Sequence, residues 1–114
     1  MLVVYASRTG NVESIVSQLS VPSQSVNDGD VSEDYILITY TDGAGEVPYE
    51  VDMFLANNSA HLKGVIASGD MAYGEDNYCK AGDIVAETYG VPLLLKVENA
   101  GTSEDITKIE DLVK

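Results

Sequence analysis

The 114-residue chain contains one cysteine, one histidine, one phenylalanine and no tryptophan. A single cysteine excludes an internal disulfide, and Cys79 with His61 cannot build a zinc cage, so no metal site is expected. Basic residues are scarce: 6 Lys plus Arg stand against 19 Asp plus Glu, a formal net charge of −13. Such a surface gains no counterion release at a phosphate backbone and is repelled by anionic lipid. Nucleic acid and membranes are therefore not expected partners. The longest apolar runs, such as Val91 to Leu95, fall far short of the ~20 residues that span a bilayer. Met1 leads straight into Leu2-Val3-Val4-Tyr5 with no basic segment or cleavage site, so no secretory signal is read and a cytoplasmic location is expected.

Hydrophobic residues make up 45% of the chain, enough for a packed core, and the length suits one domain over residues 1–114. Four apolar runs, Leu2–Ala6, Tyr35–Tyr40, Val65–Ser68 and Pro92–Val97, read as strands. They are near-continuous rather than alternating, which is the pattern of parallel strands buried on both faces. Val21–Val26 reads as a short edge strand, where Pro22 is tolerated. Between the strands, Val12, Ile15, Val16 and Leu19 follow helical spacing, with Asn11 as the expected N-cap. Val51, Phe54 and Leu55 mark a second helix that fades at Asn57-Asn58-Ser59. Ala81, Ile84, Val85 and Thr88 mark a third, closed by Gly90 and Pro92. Ile106, Ile109, Leu112 and Val113 mark a last one, capped by Thr102 or Ser103. Strand and helix alternation with right-handed crossovers leaves few topologies. The simplest is a flavodoxin-like α/β fold: a five-stranded doubly wound parallel sheet of order 2-1-3-4-5, with helices on both faces.

In such a sheet the ligand sits beyond the carboxyl ends of the strands, where the strand order switches. The loops to inspect are Ser7-Arg8-Thr9-Gly10-Asn11, Thr41-Asp42-Gly43-Ala44-Gly45-Glu46 and Ser68-Gly69-Asp70-Met71-Ala72-Tyr73-Gly74. The first joins a buried strand to a helix start, offering hydroxyls and free N–H groups to a phosphate. Arg8, the only arginine, is a candidate phosphate contact, although alternate side chains in so tight a loop point outward. The loop is neither a Walker loop nor the three-glycine dinucleotide fingerprint. Gly43 and Gly45 let backbone lie against a flat ligand. Tyr73, with Tyr78 a little further on, can stack on an aromatic ring or simply pack half-buried. Together the three loops suit a phosphorylated planar heterocycle.

The Ser-Arg-Thr-Gly-Asn loop resembles the phosphate loop of flavodoxins. The 41–48 stretch, Thr-Asp-Gly-Ala-Gly-Glu-Val-Pro, and Ser68–Gly74 followed by Tyr78-Cys79-Lys80-Ala81-Gly82-Asp83 resemble the NrdI family over essentially the whole chain. That family is small flavodoxin-like proteins serving class Ib ribonucleotide reductase. The resemblance implies bound FMN. Ser7, Thr9, Gly10, Asn11 and Val12 would hold the phosphate, and Thr41, Asp42, Gly43, Ala44 and Gly45 would line one side of the ring. Ser68, Gly69, Asp70 and Gly74 would line the other, with Tyr73 stacking. It further implies that reduced flavin reacts with dioxygen, and that superoxide passes to the dimanganese centre of the reductase small subunit for tyrosyl radical assembly. A separate electron donor would reduce the flavin, and no side chain is expected to act as acid, base or nucleophile. The chain departs from the family at Asp70, where Asn is more usual, and at Ala72.

Asp42, Glu46, Asp70, Glu75 and Asp76 lie in or beside these loops. Each would destabilise an anionic reduced ring by about 1 kcal/mol at ~16 Å with an effective dielectric of ~20. A low potential for the last reduction step is therefore expected. A peptide flip at Gly43 or Gly45 is expected to answer ring protonation. The nearest rival reading is a general flavodoxin-type electron carrier, which is usually longer and carries an aromatic where Ala44 stands. A receiver domain lacks its acidic pair here, since Ser7-Arg8 occupies that place. A Cys79 phosphatase lacks its loop and arginine. His61 is read as a solvated side chain, and Lys63, Lys80 and Lys96 have no evident partner.

Overall fold

The computed structural model describes every residue from Met1 to Lys114. Largely apolar runs become the strands β1 (Leu2–Tyr5), β3 (Tyr35–Tyr40), β4 (Leu62–Gly69) and β5 (Leu93–Glu98), while the polar segment Ser23–Ser25 forms the short edge strand β2. All neighbours pair in parallel, in the order β2-β1-β3-β4-β5. The segments of helical periodicity form α1 (Asn11–Val16), α2 (Tyr49–Asn58), α3 (Lys80–Tyr89) and α4 (Ser103–Val113). No helix is long and apolar enough to cross a membrane.

Strand side chains alternate across the sheet, and the two faces bury separate cores. Val4, Leu37 and Val65 pack with Val51, Phe54, Leu55 and Val85 from α2 and α3. Val3, Ile36, Ile38, Ile66 and Val97 pack with Val12, Ile15, Val16, Ile109 and Val113 from α1 and α4. The two helical layers therefore clamp the same central strands, and β1, β3 and β4 carry apolar residues at consecutive positions. Tyr35 is wholly buried, donates its hydroxyl to the carbonyl of Asn58 at 2.8 Å, and meets Phe54 edge-on.

Four local expectations change. β4 begins at Leu62, three residues before the apolar run, because Leu62 and Gly64 already pair with Tyr35 and Ile36 of β3. Gly64 also admits Leu94 so closely that a Cβ there would sit 2.8 Å from its Cδ1. The exposed Lys63 and the bare Gly64 hide this extension in the sequence. α1 stops at Val16 rather than reaching Leu19, since Gln18 and Leu19 donate to Ile15 and Val16 in tightened turns. Ser20 is then held by the Glu110 carboxylate. Asn11 is not the N-cap: Gly10 takes that place at φ 93°, a left-handed conformation that glycine accepts without steric cost. Lys96 does have a partner, Asp83 at 3.0 Å, and Lys63 and His61 both approach Asp34. The last helix matches its expectation closely, with Thr102 and Asp105 forming a reciprocal capping box.

Candidate functional site

The carboxyl ends of β1, β3, β4 and β5 surround one cleft of about 140 Å³. It is lined by Arg8, Thr9 and Asn11 from the β1 loop, Tyr40, Thr41 and Gly43 from the β3 loop, Ser68, Gly69, Asp70 and Tyr73 from the β4 loop, and Asn99 after β5. The volume lies below the ~300 Å³ low end of sites that engulf a small molecule. A ligand the size of a mononucleotide would therefore lie partly on the surface.

The β1 loop is rich in unused donors. None of the backbone N–H groups of residues 7–12 donates within the chain. α1 has only six residues, so its dipole is short and the free loop amides, rather than the helix end, are the donors on offer here. Ser7 turns its hydroxyl inward and accepts from the N–H of Glu13 at 3.2 Å, which leaves its own O–H free to donate. Open space surrounds the Cβ position of Gly10. Val12 contributes backbone only, since its side chain is buried in the α1 core.

The β3 loop is a closed turn. Asp42 and Glu46 exchange backbone hydrogen bonds at 2.8 Å, and Gly45 donates to the Asp42 carbonyl. Gly43, at φ 47°, lines the cleft, and Ala44 is the exposed tip. Gly45 has a packing role instead: a Cβ there would meet Lys80 at 2.8 Å and Asn77 at 3.2 Å. Asp42 does not line the cleft; it binds Arg8 Nη1 at 2.7 Å. The Arg8 guanidinium also lies 5.2 Å from the Tyr40 ring centroid. The Asp42 hydrogen bond pushes the arginine pKa further above its already high ordinary value. Tyr40 donates to Glu50, and burial with that carboxylate pushes its phenol up to about 12.

The β4 loop is built around two part-buried polar contacts. Ser68 donates its hydroxyl to the Asn99 carbonyl at 2.6 Å, and Thr41 donates to the Ser68 carbonyl at 3.1 Å. Gly69 lies against the Cys79 backbone, and its carbonyl accepts from the Asn99 N–H. Asp70 accepts from the Ala72 N–H at 2.8 Å, capping the short 3-10 turn Met71–Tyr73. Either Asp or Asn supplies that oxygen, so the departure at Asp70 costs the loop nothing in geometry and adds a charge. Tyr73 is 61% exposed at the cleft rim, with a ring face free. Gly74 closes the turn at φ 95° outside the cleft. Tyr78 does not line the cleft either: it is half-buried beside Cys79, and burial raises its phenol to about 12. Cys79 is fully buried with its thiol against the carbonyls of Ala67 and Val97, and burial raises its pKa.

Tyr40 and Asn99 are cleft residues that loop reading missed. Asn99-Ala100-Gly101 follows β5 at the same sheet edge, with Asn99 at φ 52°. A turn signal there was visible. Tyr40 ends the apolar run of β3 and reads as core from sequence alone.

The model of the family described as NrdI flavodoxin-like matches residues 3–111. The chain is 40% identical to protein NrdI of Macrococcus caseolyticus over 98% of this chain and 91% of that one. It is 39% identical to protein NrdI of Bacillus licheniformis over 91% and 80%. It is 40% identical to the SPbeta prophage-derived protein NrdI of Bacillus subtilis over 92% and 84%. Among solved structures, oxidised flavodoxin 1 of Bacillus cereus superposes with a TM-score of 0.67 at 22% identity, over 97% of this chain and 92% of that one. A short-chain flavodoxin associated with a bacterial microcompartment gives 0.66 at 23% identity over 96% and 90%. The two flavodoxins share the fold, and the fold and the family together imply a flavin cofactor. The chain belongs to the NrdI flavodoxin-like family.

Proposed function

We propose that this protein binds one FMN noncovalently and serves class Ib ribonucleotide reductase. The observation that carries the reading is the run of loop amides, Ser7 to Val12, without an acceptor in the chain, beside a cleft with an exposed tyrosine at its rim. A phosphate dianion would satisfy several of these donors at once, with the Ser7 and Thr9 hydroxyls adding two more. Thr41 and Gly43 would lie along one side of the isoalloxazine and Gly69, Asp70 and Tyr73 along the other. When bound and reduced, the flavin would supply electrons to dioxygen, giving superoxide for the dimanganese centre of the reductase small subunit and its tyrosyl radical assembly. The chain's part is to hold the ring at the surface and surround it with negative charge. Glu46, Asp70, Glu75 and Asp76 disfavour an added anion, which lowers the potential of the last reduction step, whereas the charge of Asp42 is offset by Arg8. Ala44, exposed between two glycines, leaves that edge of the slot uncovered for dioxygen. This is the feature that weighs against a general electron carrier. A separate reductant is required, and the reading places the protein in the cytoplasm with its reductase.

The test has two stages. Apo-protein titrated with FMN is expected to quench flavin fluorescence at one equivalent, and Gly10→Leu combined with Thr9→Leu is expected to abolish retention. Stoichiometric FMN in that double variant would remove the phosphate-loop assignment. Reduced holo-protein, mixed with air and a manganese-loaded class Ib small subunit, is expected to generate the tyrosyl radical signal in electron paramagnetic resonance. A radical yield no greater than with free reduced FMN would remove the reductase role.

A further inference from the structure

We infer that Arg8 is a positioning residue that latches the ring-side loop to the phosphate-side loop, rather than a phosphate contact. The inference deepens the FMN reading and rests on it. Arg8 belongs to the β1 loop and Asp42 to the β3 loop, 34 residues apart in the chain, yet Nη1 and Oδ1 lie 2.7 Å apart. The guanidinium carbon is simultaneously over the Tyr40 ring, 5.2 Å from its centroid, within reach of a cation–π contact. Tyr40 is in turn tied to Glu50 at the start of α2 by hydrogen bonds of 3.0 and 3.1 Å to its two carboxylate oxygens. No other bond between side chains joins the β1 loop to the β3 loop. The Asp42 end is rigid, because the Asp42–Glu46 turn is closed by its own backbone bonds. With one bond from Arg8, the turn carrying Gly43 is tied to the loop carrying Thr9 and Asn11. Arg8 is the only arginine in a chain of net charge −13, and it is spent on a carboxylate. The loop amides of residues 7–12 are left as the phosphate's donors, so no cation is needed there.

A latch and a phosphate clamp differ in what they do to riboflavin, which has the ring and lacks the phosphate. Fluorescence titration of apo-protein with FMN and with riboflavin, for wild type, Arg8→Gln, Asp42→Ala and the double variant, separates them. The latch predicts that each single variant weakens both ligands by the same factor, about three- to tenfold for an exposed charge pair with its guanidinium over an aromatic ring. It also predicts that the double variant is no weaker than either single one, and that Arg8→Lys, which keeps the charge, recovers part of the loss. In 1 M salt the riboflavin gap between wild type and Arg8→Gln narrows, because an exposed pair is screened. If Arg8→Gln weakens FMN much more than riboflavin while Asp42→Ala leaves both unchanged, Arg8 is a phosphate clamp and the inference is overturned. If the losses of the two single variants add in the double variant, the pair is not a unit and the inference is likewise overturned. Wild type that binds neither ligand would overturn the FMN reading itself and the latch with it, a result distinct from either variant pattern.

Discussion

Replacing Gly69 by alanine tests whether the β4 loop is held in place from behind. A Cβ at Gly69 would lie 2.6 Å from the Cys79 backbone nitrogen and 3.1 Å from its Sγ. Real contacts of this kind do not approach within 3.0 Å, so something must move. Cys79 is poorly placed to yield. It is completely buried, sits at φ 54°, and directs its thiol at the carbonyls of Ala67 and Val97. α3 starts at the next residue and is seated tightly on β4, because a Cβ at Gly82 would come within 2.7 Å of the Ala67 Cβ. Overpacking of this kind costs about 1–3 kcal/mol. For a domain of this size that lowers the melting temperature by roughly 5–15 °C. Gly64→Ala is the matched control. Its added methyl meets side chains and no backbone, Leu94 Cδ1 at 2.8 Å and Cγ at 3.1 Å and Ile36 Cδ1 at 3.3 Å, and the half-buried Leu94 can shift. Urea unfolding of the apo-proteins is expected to show the midpoint falling further for Gly69→Ala than for Gly64→Ala, with the slope unchanged. Flavin affinity should drop with Gly69→Ala, since Gly69 lines the cleft. Equal midpoints for the two variants, or a Gly69→Ala protein as stable as wild type, would refute the account of this wall.

Two further outcomes follow from the charges. Asp70→Asn keeps the oxygen that caps the Met71–Tyr73 turn and removes one negative charge from the ring side. Stability is expected to hold while the potential of the last reduction step rises by tens of millivolts; a spectroscopic redox titration that finds it unchanged or lowered would contradict the electrostatic argument. Tyr35, Tyr40 and Tyr78 all have raised phenol pKa values in the folded state, with burial the largest cause for each and the latter two at about 12. The unfolded chain therefore releases these protons first as pH climbs above the ordinary tyrosine value near ~10, and stability falls through that range. Denaturation midpoints at successive alkaline pH values should decline, and Tyr78→Phe should flatten the decline; a flat profile in wild type would remove the linkage.

Much of the fold was legible because burial on both sheet faces leaves a mark that survives in one dimension. Consecutive apolar positions in Leu2–Tyr5 and Tyr35–Tyr40 require cover above and below. The capping residues of α4 and the Gly90 stop of α3 are local chemistry, set within one helical turn. Legibility failed where a neighbour distant in sequence decided the outcome. β4 reaches back to Leu62 because Leu62 and Gly64 pair with Tyr35 and Ile36 of β3, and α1 ends early in tightened turns beside the Ser20–Glu110 contact.

The site divides the same way. Its three principal loops could be named from the sequence, because a parallel sheet sends all its βα turns to one edge and the strand order fixes where they converge. Which side chains of those loops face the cleft was settled only by folding. Arg8 turns to Asp42 and Tyr40, Gly45 packs on Lys80, Tyr78 stays beside Cys79, and Asn99 joins from β5. The sequence by itself determined the sheet, the edge and the supply of donors, since these depend on periodicity and composition. The tertiary structure alone decided the partners, since a hydrogen bond or ion pair forms at about 3 Å and the chain between its ends can be any length.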